Sequence, residues 1–220
     1  LANEIPINEK IEKTKNKVDV LKTKYKTNEE LKKLDKIGEI INKSNKPILC
    51  VGQGCNSYSK ELTYFALKAN IPVTTTLHAV GVFNENHNLS LKFMGMHGSA
   101  YANKALSESD CIIAIGSRFD DRTIGTKETY GLNALKAGKE NKGGIIHVNI
   151  DDSTFNSIIN TTHNVHLDCG KFLNNIIKYT SYKDRSEWIN NIKDLKEKYP
   201  FEYDEDNNII YSQDVLKELN

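Results

Sequence analysis

The chain has 220 residues, enough for one medium α/β domain with connecting segments or for two small domains. Apolar residues make up 38% and charged residues 27%, so a core can form beneath a heavily solvated surface. With 30 Lys and Arg against 29 Asp and Glu the formal charge is +1, which argues against nucleic-acid binding through a global positive field and leaves only a local patch, and no apolar run approaches the roughly 18–20 residues of a membrane span.

Residues 1–30 are rich in Lys, Asn and Glu and read as an interdomain linker or arm. Leu31, Leu34, Ile37 and Ile41 then recur at helical spacing until Lys46-Pro47 breaks the pattern. Ile48–Val51 is a short apolar run ended by Gly52-Gln53-Gly54, the pattern of a buried parallel strand. Leu62, Phe65, Ala66 and Ala69 mark one face of a helix. The β-branched stretch 71–76 is a second strand with Pro72 at its start. A long polar connection leads to Met94-Gly95-Met96-His97-Gly98 and a helix near Ala100–Glu108. Cys111–Ile115 is a third buried strand, and Ile145–Ile150 a fourth that runs into a helix start at Asp151-Asp152-Ser153. Val165–Leu167 is the last short strand, followed by a helix over Lys171–Tyr179 and another marked by Trp188, Ile192, Leu195 and Tyr199. Ser212 opens a further helix that is still running at Asn220, which reads as a piece of a longer protein. Strands alternating with helices predict an α/β fold with a doubly wound, mostly parallel sheet.

In such a sheet, ligands bind beyond the carboxyl ends of the strands. The strand ends carry Gly52-Gln53-Gly54, Thr76-Leu77-His78, the run Gly116 to Arg122 and Asn149-Ile150-Asp151. Small residues for close backbone approach, Arg for phosphates and polar groups for a ribose point to a nucleotide. Each piece has a plainer local reading: a tight turn without a full GxGxxG, and a solvated ion-pair cluster where Asp120 and Asp121 stand between Arg118 and Arg122. Cys50, Cys55, Cys111 and Cys169 lack a CxxC and the six histidines lack a metal-ligand spacing, so reduced thiols and no metal site are expected.

The segments Pro47–Gly54, Ile71–Leu77, Met94–Gly98, Gly116–Arg122 and Gly143–Val148 resemble, in order and spacing, the central domain of acetolactate synthase catalytic subunits, thiamine-diphosphate enzymes. The opening Leu1–Pro6, an insertion over Lys136–Gly144 and the stretch Arg185–Trp188 look most like fungal forms. The resemblance implies a six-stranded Rossmann-like sheet, with a linker over 1–30, an FAD-binding domain over 31–180, and a helical linker over 181–220 leading into a thiamine-diphosphate-binding domain. It implies FAD contacts at Gly52, Gln53, Gly54, Thr76, Leu77, Met94, Gly95, Met96, His97, Gly98, Gly116, Ser117, Arg118, Phe119, Asp120, Asn149, Ile150, Asp168 and Cys169. Three positions depart from the family pattern: Gln53 stands for Gly or Ala, Asn149 for an acidic residue, and Cys169 for Ala or Val.

Met96, Asp121 and Arg122 match positions that line the family's substrate channel and herbicide site; Arg122 would pair with a 2-keto acid carboxylate, oriented by Asp121. The reaction implied joins pyruvate to a second pyruvate or to 2-ketobutyrate, the opening step of branched-chain amino-acid (isoleucine and valine) synthesis. Thiamine diphosphate and Mg2+ would lie on domains outside these residues, so the chain alone is expected to be inactive, with no catalytic residue of its own. The resemblance further implies a homodimer or higher oligomer, a regulatory subunit, no nucleic-acid or membrane partner, and mitochondrial residence. The alternatives are a non-catalytic ADP- or NAD(P)-binding module of another thiamine-diphosphate enzyme, and a pure scaffold or interaction domain.

Overall fold

The computed structural model describes residues 27–201 and 209–219. Of the expected arm over 1–30, residues 1–26 lie outside the described residues, and Thr27 already opens a helix, α1 (Thr27–Lys43). Six strands form one all-parallel sheet: β1 (Pro47–Val51), β2 (Val73–Thr75), β3 (Ser90–Phe93), β4 (Cys111–Ile115), β5 (Gly144–Asn149) and β6 (His163–His166). Their spatial order is β3-β2-β1-β4-β5-β6, so the chain reverses direction across the sheet between β1 and β4. Central pairing is in register from Pro47 opposite Cys111 to Val51 opposite Ile115, and from Cys111 opposite Gly144 to Ile115 opposite Val148.

The central strands β1 and β4 are apolar throughout, and β5 over most of its length, because both faces are covered. Alternate residues serve opposite layers: Leu49, Val51, Ile113, Ile115, Ile146 and Val148 face one core, while Ile48, Cys50, Ile112, Ala114 and Ile145 face the other. The first layer is completed by α1 with Leu34, Ile37 and Ile41, by α2 (Ser59–Ala69) with Leu62, Phe65 and Ala66, and by a later helix with Phe172, Leu173 and Ile176. The second is completed by α3 (Ala100–Glu108) with Tyr101, Ala105 and Leu106, and by Trp188 and Ile192. Each fully buried Leu or Ile here contributes about 1.5–3 kcal/mol.

The segment between β2 and α3 is not simply a polar connection. It holds the edge strand β3, where Leu91 is fully buried but Ser90 and Lys92 dilute the apolar signal. Its register slips between Val73 and Thr75, as edge pairing tolerates. A one-turn helix α4 (Asp121–Ile124) and a short α5 (Leu132–Lys139) precede β5. The stretch at Asp151–Ser153 does not start an α-helix: it makes a single 3-10 turn, Asp152–Thr154. The helix expected at Lys171–Tyr179 is α6, Cys169–Ile176, two residues earlier because Asp168 caps it. Finally come α7 (Ser186–Lys198) and α8 (Ser212–Leu219), the latter opening at Ser212 as expected.

Residues 183–192 are bound into this framework. The buried Arg185 guanidinium donates to Ala69 O (2.5 Å) and Ile41 O (2.8 Å), the carbonyl ends of α2 and α1. Lys183 Nζ donates to Lys43 O and Ser44 O, and the Trp188 indole donates to Pro47 O at 3.1 Å.

Candidate functional site

A parallel sheet delivers all its strand-following loops to one edge. Those after β1, β2, β4, β5 and β6 enclose a groove of about 500 Å³. Its walls are Gly52, Gln53, Gly54, Ser57, Tyr58, Thr76, His78, Gly116, Ser117, Arg118, Asp120, Asn149, Ile150, Asp151, Asp168 and Cys169. This is the crevice that the reversal between β1 and β4 opens.

Two glycine turns make its floor. Gly52 N–H donates to Ile115 O at 2.9 Å, and a Cβ on Gly52 would fall 2.2 Å from Gly116 O. Gly116 has φ +63, and a Cβ there would fall 2.8 Å from both Gly54 Cα and Cys169 Sγ. Only hydrogen at these positions lets the two loops cross in contact.

Polar side chains then lock the rim. Ser117 O accepts from Asn149 Nδ2 (3.0 Å) and from His147 Nε2 (2.8 Å), while Asn149 Oδ1 accepts from Asp151 N–H (3.1 Å). The bond to a carbonyl places the imidazole proton on Nε2, leaving buried Nδ1 without a partner among the described residues, and burial lowers the His147 pKa. Asp168 caps α6 through Oδ1, accepting from Gly170 and Lys171 N–H, and its Oδ2 accepts from Tyr58 OH at 3.1 Å. Asp120 caps α4, accepting from Thr123 N–H and Oγ1. The Asn149 and Asp168 side chains are therefore engaged in shaping the rim. Cys55, beneath the groove, has its thiol pKa raised by the neighbouring Cys169 thiol and by burial.

Of the residues expected to contact a cofactor, Gly52, Gln53, Gly54, Thr76, Gly116, Ser117, Arg118, Asp120, Asn149, Ile150, Asp168 and Cys169 meet in this groove. Leu77 stands exposed outside its lining. Phe119 is buried in the core, edge-on to His147 at 4.7 Å between ring centres. Met94 is buried too, whereas Met96 and His97 are exposed on the neighbouring loop and Gly98 is half-buried. Gly95 and Met96 line a separate cavity of about 340 Å³ with Asn103, Thr123, Ile124 and Tyr130 among its walls. His78 and Asp151 lie in the strand-end stretches already singled out. Ser57 and Tyr58 follow the glycine turn without any pattern that marks them.

The cluster of Arg118, Asp120, Asp121 and Arg122 contains no ion pair among the described residues. Asp121 and Arg122 are both exposed on α4, where consecutive residues point about 100° apart.

The strand order and the polar crevice at the sheet's carboxyl edge define a doubly wound, all-parallel α/β fold. Residues 34–176 match the family described as thiamine pyrophosphate enzyme, central domain, and the chain belongs to that family. It is 36% identical over 195 residues to the mitochondrial acetolactate synthase catalytic subunit of Saccharomyces cerevisiae, a match covering 86% of this chain and 28% of that protein. The mitochondrial acetolactate synthase of Schizosaccharomyces pombe is 33% identical, covering 85% of this chain and 29% of the relative. The acetolactate synthase large subunit of Corynebacterium glutamicum is 36% identical over 79% of this chain and 28% of its own length. The chain thus spans less than a third of each of these relatives.

Proposed function

We propose that this chain is the central domain of an acetolactate synthase catalytic subunit, and that its groove holds FAD. The supporting observation is the meeting of five strand-end loops around one polar groove whose glycine floor a single Cβ would fill. The donor set suits a dinucleotide. Arg118 brings a cation for a pyrophosphate, Ser117 Oγ is buried with no partner among the described residues, and Tyr58 and Ile150 supply flat or apolar wall for a ring system. In this reading FAD undergoes no net redox change, and its part is to brace the loops.

The complete polypeptide would condense pyruvate with pyruvate or 2-ketobutyrate. Thiamine diphosphate, held with Mg2+ by residues outside this chain, supplies the electron sink for decarboxylation. Here the chain's own contribution is position and charge: Met96 and Arg122 stand exposed on adjoining segments joined by the Met96 N–H bond to Arg122 O, and the Arg122 guanidinium has the fork geometry for a 2-keto acid carboxylate. Self-association, a regulatory subunit and mitochondrial residence belong to the same proposal. Residence rests on the fungal relatives, both named as mitochondrial.

Titrating the purified chain with FAD, ADP and NAD+ tests the reading. FAD binding with quenched flavin fluorescence, weakened at least tenfold in Gly52→Ala, is expected. Preference for ADP or NAD+ sinks the flavin assignment and favours the plain nucleotide module.

A further inference from the structure

The loop bearing Met96 and His97 is held from behind by a side chain that no motif marks. Asn103, in the first turn of α3, uses both ends of its amide on one residue: Oδ1 accepts from Gly95 N–H at 2.9 Å and Nδ2 donates to Gly95 O at 2.9 Å. Gly95 O also accepts from Gly98 N–H at 3.0 Å, which closes the turn around Met96 and His97.

Gly95 sits at φ +104, and a Cβ there would fall 2.4 Å from Arg122 O, so its backbone lies directly against α4. The next residue completes the join: Met96 N–H donates to Arg122 O at 2.8 Å. Asn103, Gly95, Met96 and Arg122 therefore form one chain of backbone-anchored contacts. At its outer end Met96 is 68% exposed and the Arg122 side chain is free to meet a ligand. The base of the chain is rigid, because Ser99 caps α3 with its hydroxyl accepting from Ala102 N–H while donating to Leu91 O on β3.

We infer that Asn103 is a positioning residue that sets the spacing between Met96 and Arg122 and so tunes recognition of the incoming 2-keto acid. It touches no substrate; it acts through the Gly95 backbone. This inference rests on the proposed synthase function. It adds a residue to that function and predicts which kinetic constant responds.

The experiment uses the complete catalytic polypeptide carrying this domain. In Asn103→Ala, amide exchange in the peptide covering residues 93–99 is expected to accelerate by about tenfold, the effect of losing a pair of hydrogen bonds to one residue. KM for the acceptor 2-keto acid should rise by a similar factor while kcat stays within about twofold, as loss of uniform substrate binding requires. Asn103→Asp keeps the acceptor for Gly95 N–H but sets a carboxylate oxygen against Gly95 O, so it should show an intermediate KM and serves if the alanine variant does not fold. Unchanged exchange over 93–99 overturns the clamp. Faster exchange with unchanged KM and unchanged preference between pyruvate and 2-ketobutyrate overturns the positioning role. A wild-type polypeptide that makes no acetolactate refutes the synthase reading instead, and the exchange result then stands or falls separately.

Discussion

His147 shows how one buried side chain can tie a rim to a pH range. Its imidazole is packed between Phe119 and Phe155, with Nε2–H spent on Ser117 O and Nδ1 facing no partner among the described residues. A second proton would charge a buried ring, so burial holds the folded pKa below the ordinary 6.5. The unfolded chain then binds more protons in mild acid, and stability is expected to fall as pH drops through 6.5 and to be regained above it. His163, its pKa also lowered by burial, adds to the same slope. Melting curves between pH 7.5 and 5 should show a shallower decline for His147→Gln than for the wild type. Equal slopes would remove His147 from the explanation. Nothing in the sequence marks this histidine, because it lies inside an apolar strand run where only three-dimensional packing reveals that its ring leans on the rim.

At the scale of elements, the junction of β6 and α6 binds a helix cap to a groove wall. Replacing Asp168 with Ala removes the acceptor for Gly170 and Lys171 N–H and for Tyr58 OH together. A loss of about 1–2 kcal/mol, read as a lower urea midpoint at unchanged m-value, is expected, with Asn recovering most of it. The sequence showed most elements because doubly covered strands such as Cys111–Ile115 are uninterrupted apolar runs and the long helices repeat with a clean period. β3 was hidden because an edge strand with Ser90 and Lys92 looks like loop, and α5 because it buries only Ala134. The glycine turns were legible for the same reason they are needed: a contact as close as Gly52 to Gly116 leaves little chemical choice. Tyr58 was not legible, since its place on the wall depends on the fold bringing the start of α2 against Asp168 and Gly170 at the start of α6.

For the whole molecule, the question is whether residues 183–192 fold with the sheet or hang from it. Arg185 satisfies carbonyls of α1 and α2 from a buried position, where its pKa is lowered by desolvation. Arg185→Ala is expected to cost about 2–4 kcal/mol, because those carbonyls lose their donors in a site that water does not readily enter. The single tryptophan, Trp188, is buried three residues on and reports the event. Its emission and the far-UV signal should lose structure at one shared, lowered denaturant midpoint. An emission change that precedes the far-UV change would show that this segment detaches alone. Arg185→Lys should recover only part of the loss, lacking the planar fork.

The carbonyl ends of α1 and α2 lie beside the strand starts, whereas the groove lies beyond the strand tips. Latch and socket therefore occupy opposite poles, separated by the full height of the sheet. Such a frame can exchange the loops at one pole, and with them the shape of the socket, while the other pole keeps the body shut.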